Sequence, residues 1–287
     1  MIMMTRTVGI LHPGEMGSAI AASAIQSGMN VVWCAQQRSA ATASRANALG
    51  LKTANSLQEL CELCDILISV CPPHAAIEQA KQVIACGFKG VYADINAIAP
   101  DTVCAMEDSM NNTDIQLVDG GIIGLPPTKP GTTWLYLSGK QAQTVADCFN
   151  QGPLETEVLG DQIGQASGLK MCFAANSKGT AALHTAILSA AENMGVRQAL
   201  EKQWDIYTTG FTEKSQGRIR QVARKAWRFS GEMKEIAATL EANELPRGFF
   251  DAAAEIYERQ TGFKDIPDEP GIEAILDAVN ASGKNKD

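Results

Sequence analysis

Residues His12-Pro13-Gly14-Glu15-Met16-Gly17 follow the apolar run Val8–Leu11 and lead into a segment of small residues, Ser18–Ala24. Glycine is needed where a backbone must come within contact distance of a pyrophosphate. A helix beginning there offers that anion unpaired N–H groups and a partial positive charge. Gly14 and Gly17 hold the second and third places of a G-x-G-x-x-G turn, with His12 in the first. These spacings predict a dinucleotide site, with His12 through Gly17 as its cofactor-binding residues. About 20 residues further on, where a carboxylate would accept hydrogen bonds from a ribose 2′-hydroxyl, the chain reads Cys34-Ala35-Gln36-Gln37-Arg38-Ser39. No Asp or Glu occurs from Met16 to Gln58. A carboxylate would repel a 2′-phosphate, whereas Arg38 and Ser39, supported by Thr42 and Arg45, would pair with one through charge-assisted hydrogen bonds. The residues therefore favour NADP(H). The alternative for Arg38 and Arg45 is a solvated helix start.

Positioning such a site requires strands that end together. Strand-like runs at 8–11, 31–34, 66–70, 91–95, 115–118 and 133–138 alternate with helical stretches at 15–27, 40–49, 56–63, 74–85 and 100–110. Alternation of apolar strands with helices predicts an α/β fold, a Rossmann-type doubly wound parallel sheet with its ligand at the carboxyl ends of the strands. Pro126–Gly131 reads as a turn before the last strand. Beyond about residue 162 no convincing strand remains. Helical stretches follow at 165–194, 196–208, 211–226, 231–242 and 246–261. The expected organisation is an NADP-binding domain over 1–162 and an all-helical substrate and dimerisation domain over 163–287. Residues 1–7 and 283–287 are expected to fray.

The chain has 287 residues and a formal net charge of −8, which suits about two domains and opposes binding to nucleic acid or an anionic membrane. No secretion signal or run of about 18 apolar residues is read, so a cytoplasmic protein is expected. The eight cysteines lie in apolar or helical contexts and read as reduced core thiols. Cys61 and Cys64 form a C-x-x-C within an amphipathic helix, without a second pair or a nearby histidine, so no metal site is expected.

Three further segments make the chain resemble the β-hydroxyacid dehydrogenase family, which includes 3-hydroxyisobutyrate and 6-phosphogluconate dehydrogenases. They are Tyr92-Ala-Asp94-Ile-Asn96-Ala-Ile-Ala-Pro100, Val118-Asp119-Gly120-Gly121-Ile122-Ile123-Gly124 and Gly164-Gln-Ala166-Ser-Gly-Leu-Lys170. The resemblance is stronger to a little-characterised subgroup sharing Asn-Ala-Ile, Asp-Gly-Gly-Ile-Ile-Gly and Gly-Leu-Lys-Met-Cys. It implies a Rossmann domain followed by a helical domain through which subunits pair, with the active site in the interdomain cleft. It implies cofactor contacts at Gly14–Gly17 and at the Cys71-Pro72 loop, and a place for Asn96 near substrate and nicotinamide. It implies substrate contacts at Gly120, Gly121, Ile123 and Gly124, and Lys170 as the catalytic group. Lysine suits this chemistry because a cleft can lower its pKa enough to take and return a hydroxyl proton.

On a helix starting near Gln165, Lys170, Ala174, Ser177, Ala181 and His184 share one stripe, so Ala174 and Ser177 join the candidate substrate contacts. Ala174 and Ala181 would leave room for a ring or substrate. His184 is expected to be a satisfied core or interface histidine, His74 to start the helix after Pro72-Pro73, and Lys178 to be a secondary candidate off the stripe. The chain departs from the family where Ala174 replaces an asparagine and Ile123 a serine; Asn176 points elsewhere on the helix. An imine reductase is the alternative enzyme, although its members often place an acid or tyrosine at the position of Lys170. A non-catalytic NADP-binding sensor or scaffold is the alternative of another class.

Overall fold

A computed structural model describes residues 6–264 and 266–281. The elements in chain order are β1 (Thr7–Ile10), α1 (Glu15–Gln26), β2 (Asn30–Cys34), α2 (Ala40–Ala48), β3 (Lys52–Ala54), α3 (Leu57–Leu63), β4 (Ile66–Ser69), α4 (Ala76–Ala85), β5 (Gly90–Asp94), α5 (Pro100–Met110), β6 (Ile115–Ile123), β7 (Trp134–Ser138), α6 (Ala142–Ala146), β8 (Glu155–Gly160) and α7 (Gln165–Ala174). A π-turn, Ala175–Gly179, leads to α8 (Thr180–Asn193), α9 (Arg197–Tyr207), α10 (Phe211–Ala223), α11 (Ala226–Ala242), α12 (Gly248–Glu258) and α13 (Ile272–Ala281).

The strands form one sheet in the order β3-β2-β1-β4-β5-β6-β7-β8. Alternate residues go to opposite faces: Ile66 and Ile68 join one buried cluster and Leu67 the other. Ile20, Ala21 and Ala24 of α1 cover the first face; Leu60, Val83, Val103 and Met106 of α3, α4 and α5 cover the second. Burial on both faces explains why the central strands are almost wholly apolar.

The chain divides into two compact units between Met171 and Cys172. The sequence pattern changes earlier, at residue 162. In the second unit Leu188, Ile219, Ala223, Ile275 and Leu276 bring α8, α10 and α13 together. Tyr257 of α12 meets Phe229 of α11 edge to face, with centroids 5.6 Å apart.

Several expectations need correction. The sheet is not wholly parallel, because β7 runs antiparallel to β6. Strands β3 and β8 lacked an apolar signal because they are the two edges of the sheet, where polar residues such as Lys52, Glu155 and Glu157 are tolerated. The strand expected over 115–118 continues through both glycines to Ile123. Among the helices, α11 starts at Ala226 and passes through Gly231, whose missing Cβ faces open space. Helix α13 lies beyond the expected helical stretches, although Ile272, Ile275, Leu276 and Val279 carry a helical spacing. His74 lies inside a 3₁₀ turn, Pro73–Ala75, before α4. Thr7 belongs to β1 and donates its N–H to Asp65 Oδ2 (2.8 Å) rather than fraying. Residues 1–5 and 283–287 lie outside the described residues. All eight cysteines are free, but Cys104 and Cys172 are exposed, not core thiols.

Candidate active site

At the end of β1 the glycine turn closes on itself: Gly14 N–H donates to His12 O at 2.8 Å. A Cβ on Gly17 would stand 2.1 Å from that same oxygen, so no other residue lets α1 come so near the strand. Gly14 is the N-cap of α1, and its Cβ position is open for 4 Å. Pro13 is buried, and Met16 packs against the first core cluster. His12 Nδ1 and Arg38 Nε are both buried without a hydrogen-bond partner among the described residues. Burial, then the nearby Arg38 charge, lowers the His12 pKa to about 4, leaving a neutral ring at neutral pH. Burial also lowers the Arg38 value, while Cys34 and Cys71 lie within electrostatic reach and raise it.

Two orphaned donor or acceptor atoms beside a glycine turn fit a polar, anionic ligand that completes them. Arg38 also lines a cavity of about 350 Å³ together with Gln37, Leu57 and Gln79. Ser39 Oγ accepts from Thr42 N–H at 3.2 Å and so caps α2. Arg45 lies in the last turn of the same helix.

The ends of β4 and β5 are tied through Asn96. Its Oδ1 accepts from Cys71 N–H (2.5 Å), and its Nδ2 donates to Ser69 Oγ (3.1 Å) and Asp94 Oδ2 (2.8 Å). Asn96 N–H donates to Asp94 Oδ1 (3.1 Å). The buried amide therefore holds the Cys71-Pro72 loop in place. Desolvation pushes the fully buried Asp94 up to about 7; Asn96 pulls against this and the Asp119 charge adds to it.

Strand β6 meets α7 without intervening side chains. A Cβ on Gly121 would lie 2.8 Å from both Ala166 O and Lys170 Cβ; one on Gly120 would lie 2.4 Å from Ile95 Cγ2. Glycines that would ordinarily weaken a strand are required here by close approach. Gly124 has φ +131° and would strike Thr132 O. Lys170 Nζ donates to Ile122 O at 2.7 Å, placing the ammonium beside the carboxyl end of β6, next to Ile123. The first turn of α7 is held by Asp119, a buried carboxylate of the Val118–Gly124 segment with no role assigned from its spacing. An Asp inside an apolar strand run with no cation near it in the sequence was the available signal. Lys170, Gly121, Ile123 and Gly124 are thus brought to one place, and Asn96 and Cys71 to the neighbouring strand ends.

The residues expected further along the helix behave differently. The π-turn breaks the 3.6-residue register after Ala174, so the stripe through Ser177, Ala181 and His184 is not continuous. Ala174 and Ala181 have no exposure and leave no open space. Ser177 Oγ donates within its own helix to Phe173 O (3.0 Å). Lys178 pairs with the buried Glu232 and lies 4.4 Å from the Phe229 ring centroid. His184 Nδ1 bonds Ser215 Oγ at 2.7 Å between Trp204 and Phe211, the satisfied histidine that was expected.

A family model described as D-isomer specific 2-hydroxyacid dehydrogenase, NAD binding domain, matches residues 2–82. One described as a domain of unknown function (DUF1932) matches residues 191–260. An uncharacterized 28.5 kDa protein from the 7S RNA 5′ region of Methanothermus fervidus is 29% identical over 189 residues, 66% of this chain and 72% of its own. A solved conserved protein of unknown function, with structural similarity to 3-hydroxyacid dehydrogenases, matches with TM-score 0.66 and 27% identity, over 90% of this chain and 97% of its own. The 3-hydroxyisobutyrate dehydrogenase of Mycobacterium tuberculosis, solved with L-serine, shares the fold with TM-score 0.70 and 15% identity, over 95% and 98% of the two chains.

Proposed function

We propose that this chain, a member of the β-hydroxyacid dehydrogenase family, is an NADP(H)-dependent oxidoreductase acting on a small β-hydroxy acid or its oxo counterpart, with Lys170 as general acid/base. The observation that carries the reading is the Lys170 ammonium, anchored 2.7 Å from Ile122 O at the carboxyl end of β6. When bound, the nicotinamide supplies the hydride donor or acceptor. Oxidation of a secondary alcohol releases the hydroxyl proton as the carbon-bound hydrogen leaves with its electron pair. Neutral Lys170 Nζ takes that proton, and in reduction the ammonium returns it to the carbonyl oxygen. Ile122 O, accepting from Nζ, directs the amine along the strand end.

The Gly14–Gly17 turn and the start of α1 would hold the pyrophosphate, and Arg38 the 2′-phosphate. The Asn96-held Cys71-Pro72 loop would line the nicotinamide side. Ile123 offers no polar group where the resemblance places a serine, which favours a less polar or bulkier acid than 3-hydroxyisobutyrate and disfavours a phosphosugar. A homodimer formed through the helical unit and a cytoplasmic location complete the proposal.

The test is a panel of hydroxy acids, aldehydes and cyclic imines followed by nicotinamide absorbance with NADP(H) and NAD(H). Turnover of a β-hydroxy acid with NADP(H) preferred is expected. Turnover of cyclic imines alone would assign an imine reductase, and cofactor binding without turnover a sensor.

A further inference from the structure

Asp119 is fully buried on β6, and its carboxylate accepts hydrogen bonds from the start of α7 and from the side chain that supports it. Oδ2 accepts from Gly164 N–H (2.9 Å), Ser167 N–H (3.0 Å) and Ser138 Oγ (3.0 Å); Oδ1 accepts from Ser167 Oγ (2.5 Å). Ser138 Oγ in turn accepts from Ala166 N–H (3.2 Å). Three N–H groups of the helix start are therefore taken by side chains of β6 and β7. Further along the same strand, Gly121 abuts Ala166 and Lys170, and Ile122 O receives Lys170 Nζ. Strand and helix are in register at three successive points, and the last of them is the lysine amine.

We propose that Asp119 is the positioning residue for Lys170: acting with Ser138 and Ser167, it fixes the height and rotation of α7 on β6 and so decides where Lys170 Nζ stands. This rests on the proposed role of Lys170. A neutral serine or threonine suffices for an ordinary helix cap, and a buried carboxylate carries a desolvation cost that a cap does not need. What the carboxylate adds is several acceptor sites on one rigid group, enough to hold N–H groups from successive residues and both serine hydroxyls at once. The partial positive charge of the helix start favours the anion there. A reacting group displaced by about 1 Å loses about 10²-fold in rate, so a loosened register falls directly on proton transfer.

Reductive ¹³C-methylation of the full chain labels its lysines, and the dimethyl-lysine resonance missing from Lys170→Met identifies Lys170. In Asp119→Asn that resonance and its titration midpoint are expected to shift while those of Lys52 and Lys89 do not; Ser138→Ala should give a smaller shift. On a substrate found in the panel above, kcat should fall about 10- to 100-fold with the NADPH Kd unchanged. An unshifted Lys170 resonance in folded Asp119→Asn overturns the proposal, as does unchanged kcat where Lys170→Met has lost turnover. Should that variant fail to fold, Ser138→Ala and Ser167→Ala decide the matter by the same readouts. If the resonance shifts but Lys170→Met retains turnover, the positioning by Asp119 stands and the proton-transfer role of Lys170 falls.

Discussion

Lys170→Met keeps the apolar stem and length of the side chain and removes only the titratable amine. The rate on a confirmed substrate should fall about 10²- to 10⁴-fold while NADPH still binds; turnover within about threefold of wild type would refute the role. Arg38→Ala should weaken NADPH by about 10- to 150-fold, the loss of a charge-assisted phosphate contact, and leave NADH unaffected in a fluorescence titration. Equal NADPH affinity would remove Arg38 from the site. Asp94 supplies a pH test. Its folded-state pKa of about 7 lies above that of a free carboxyl, so the folded chain holds this proton more tightly. Its contribution to stability is therefore full below about pH 4 and is lost as pH rises toward 7. His12, with its pKa lowered to about 4, runs the other way, which is why the comparison must be between variants. The melting temperature of Asp94→Asn relative to wild type should rise between pH 4.5 and pH 8; a constant difference would contradict the shift.

At the scale of elements, two close approaches and one buried pair give direct tests of the candidate site and the helical unit. Gly17→Ala forces a Cβ onto His12 O and should destabilise by about 1–3 kcal/mol and weaken cofactor binding, both measurable by thermal shift with and without NADPH. In the helical unit Lys178 and Glu232 are each less than one-fifth exposed. Gly179 leaves no room for a Cβ against Phe250, and Tyr257 Oη donates to Lys178 O. Lys178→Met leaves Glu232 buried without its cation and should cost about 3–5 kcal/mol in denaturant unfolding, much of it recovered in Lys178→Met/Glu232→Leu. If the single variant is as stable as wild type, the pair is not carrying its charge in a desolvated setting.

For the molecule as a whole, the helical unit displays Leu183, Ile206, Tyr207 and Phe249 at 57, 64, 87 and 77% exposure. Large apolar side chains in such number favour a second copy as their cover. Light scattering at micromolar concentration should give about twice the 30.6 kDa of one chain; a single-chain mass would refute the homodimer. The parallel half of the sheet, its flanking helices and the glycine turn were legible because their signals are local: apolar runs of strand length, caps, and glycines at fixed spacing. Edge strands β3 and β8 were not, because an edge need not be apolar, and the antiparallel turn of β7 is a matter of which strand it finds. Lys170 could be placed from its motif, but its partner Ile122 O could not, since a backbone carbonyl has no sequence signature. The stripe through Ser177 and His184 failed because a π-turn, invisible to 3.6-residue counting, intervenes. What the sequence by itself determined is the alternation of the central strands with their helices and the chemistry available at the carboxyl end of the first strand. Only the tertiary structure decided that the mid-strand Gly121 admits a helix and that a buried carboxylate holds its first turn. Both depend on contacts between residues more than 40 positions apart, where distance in space is unrelated to distance along the chain.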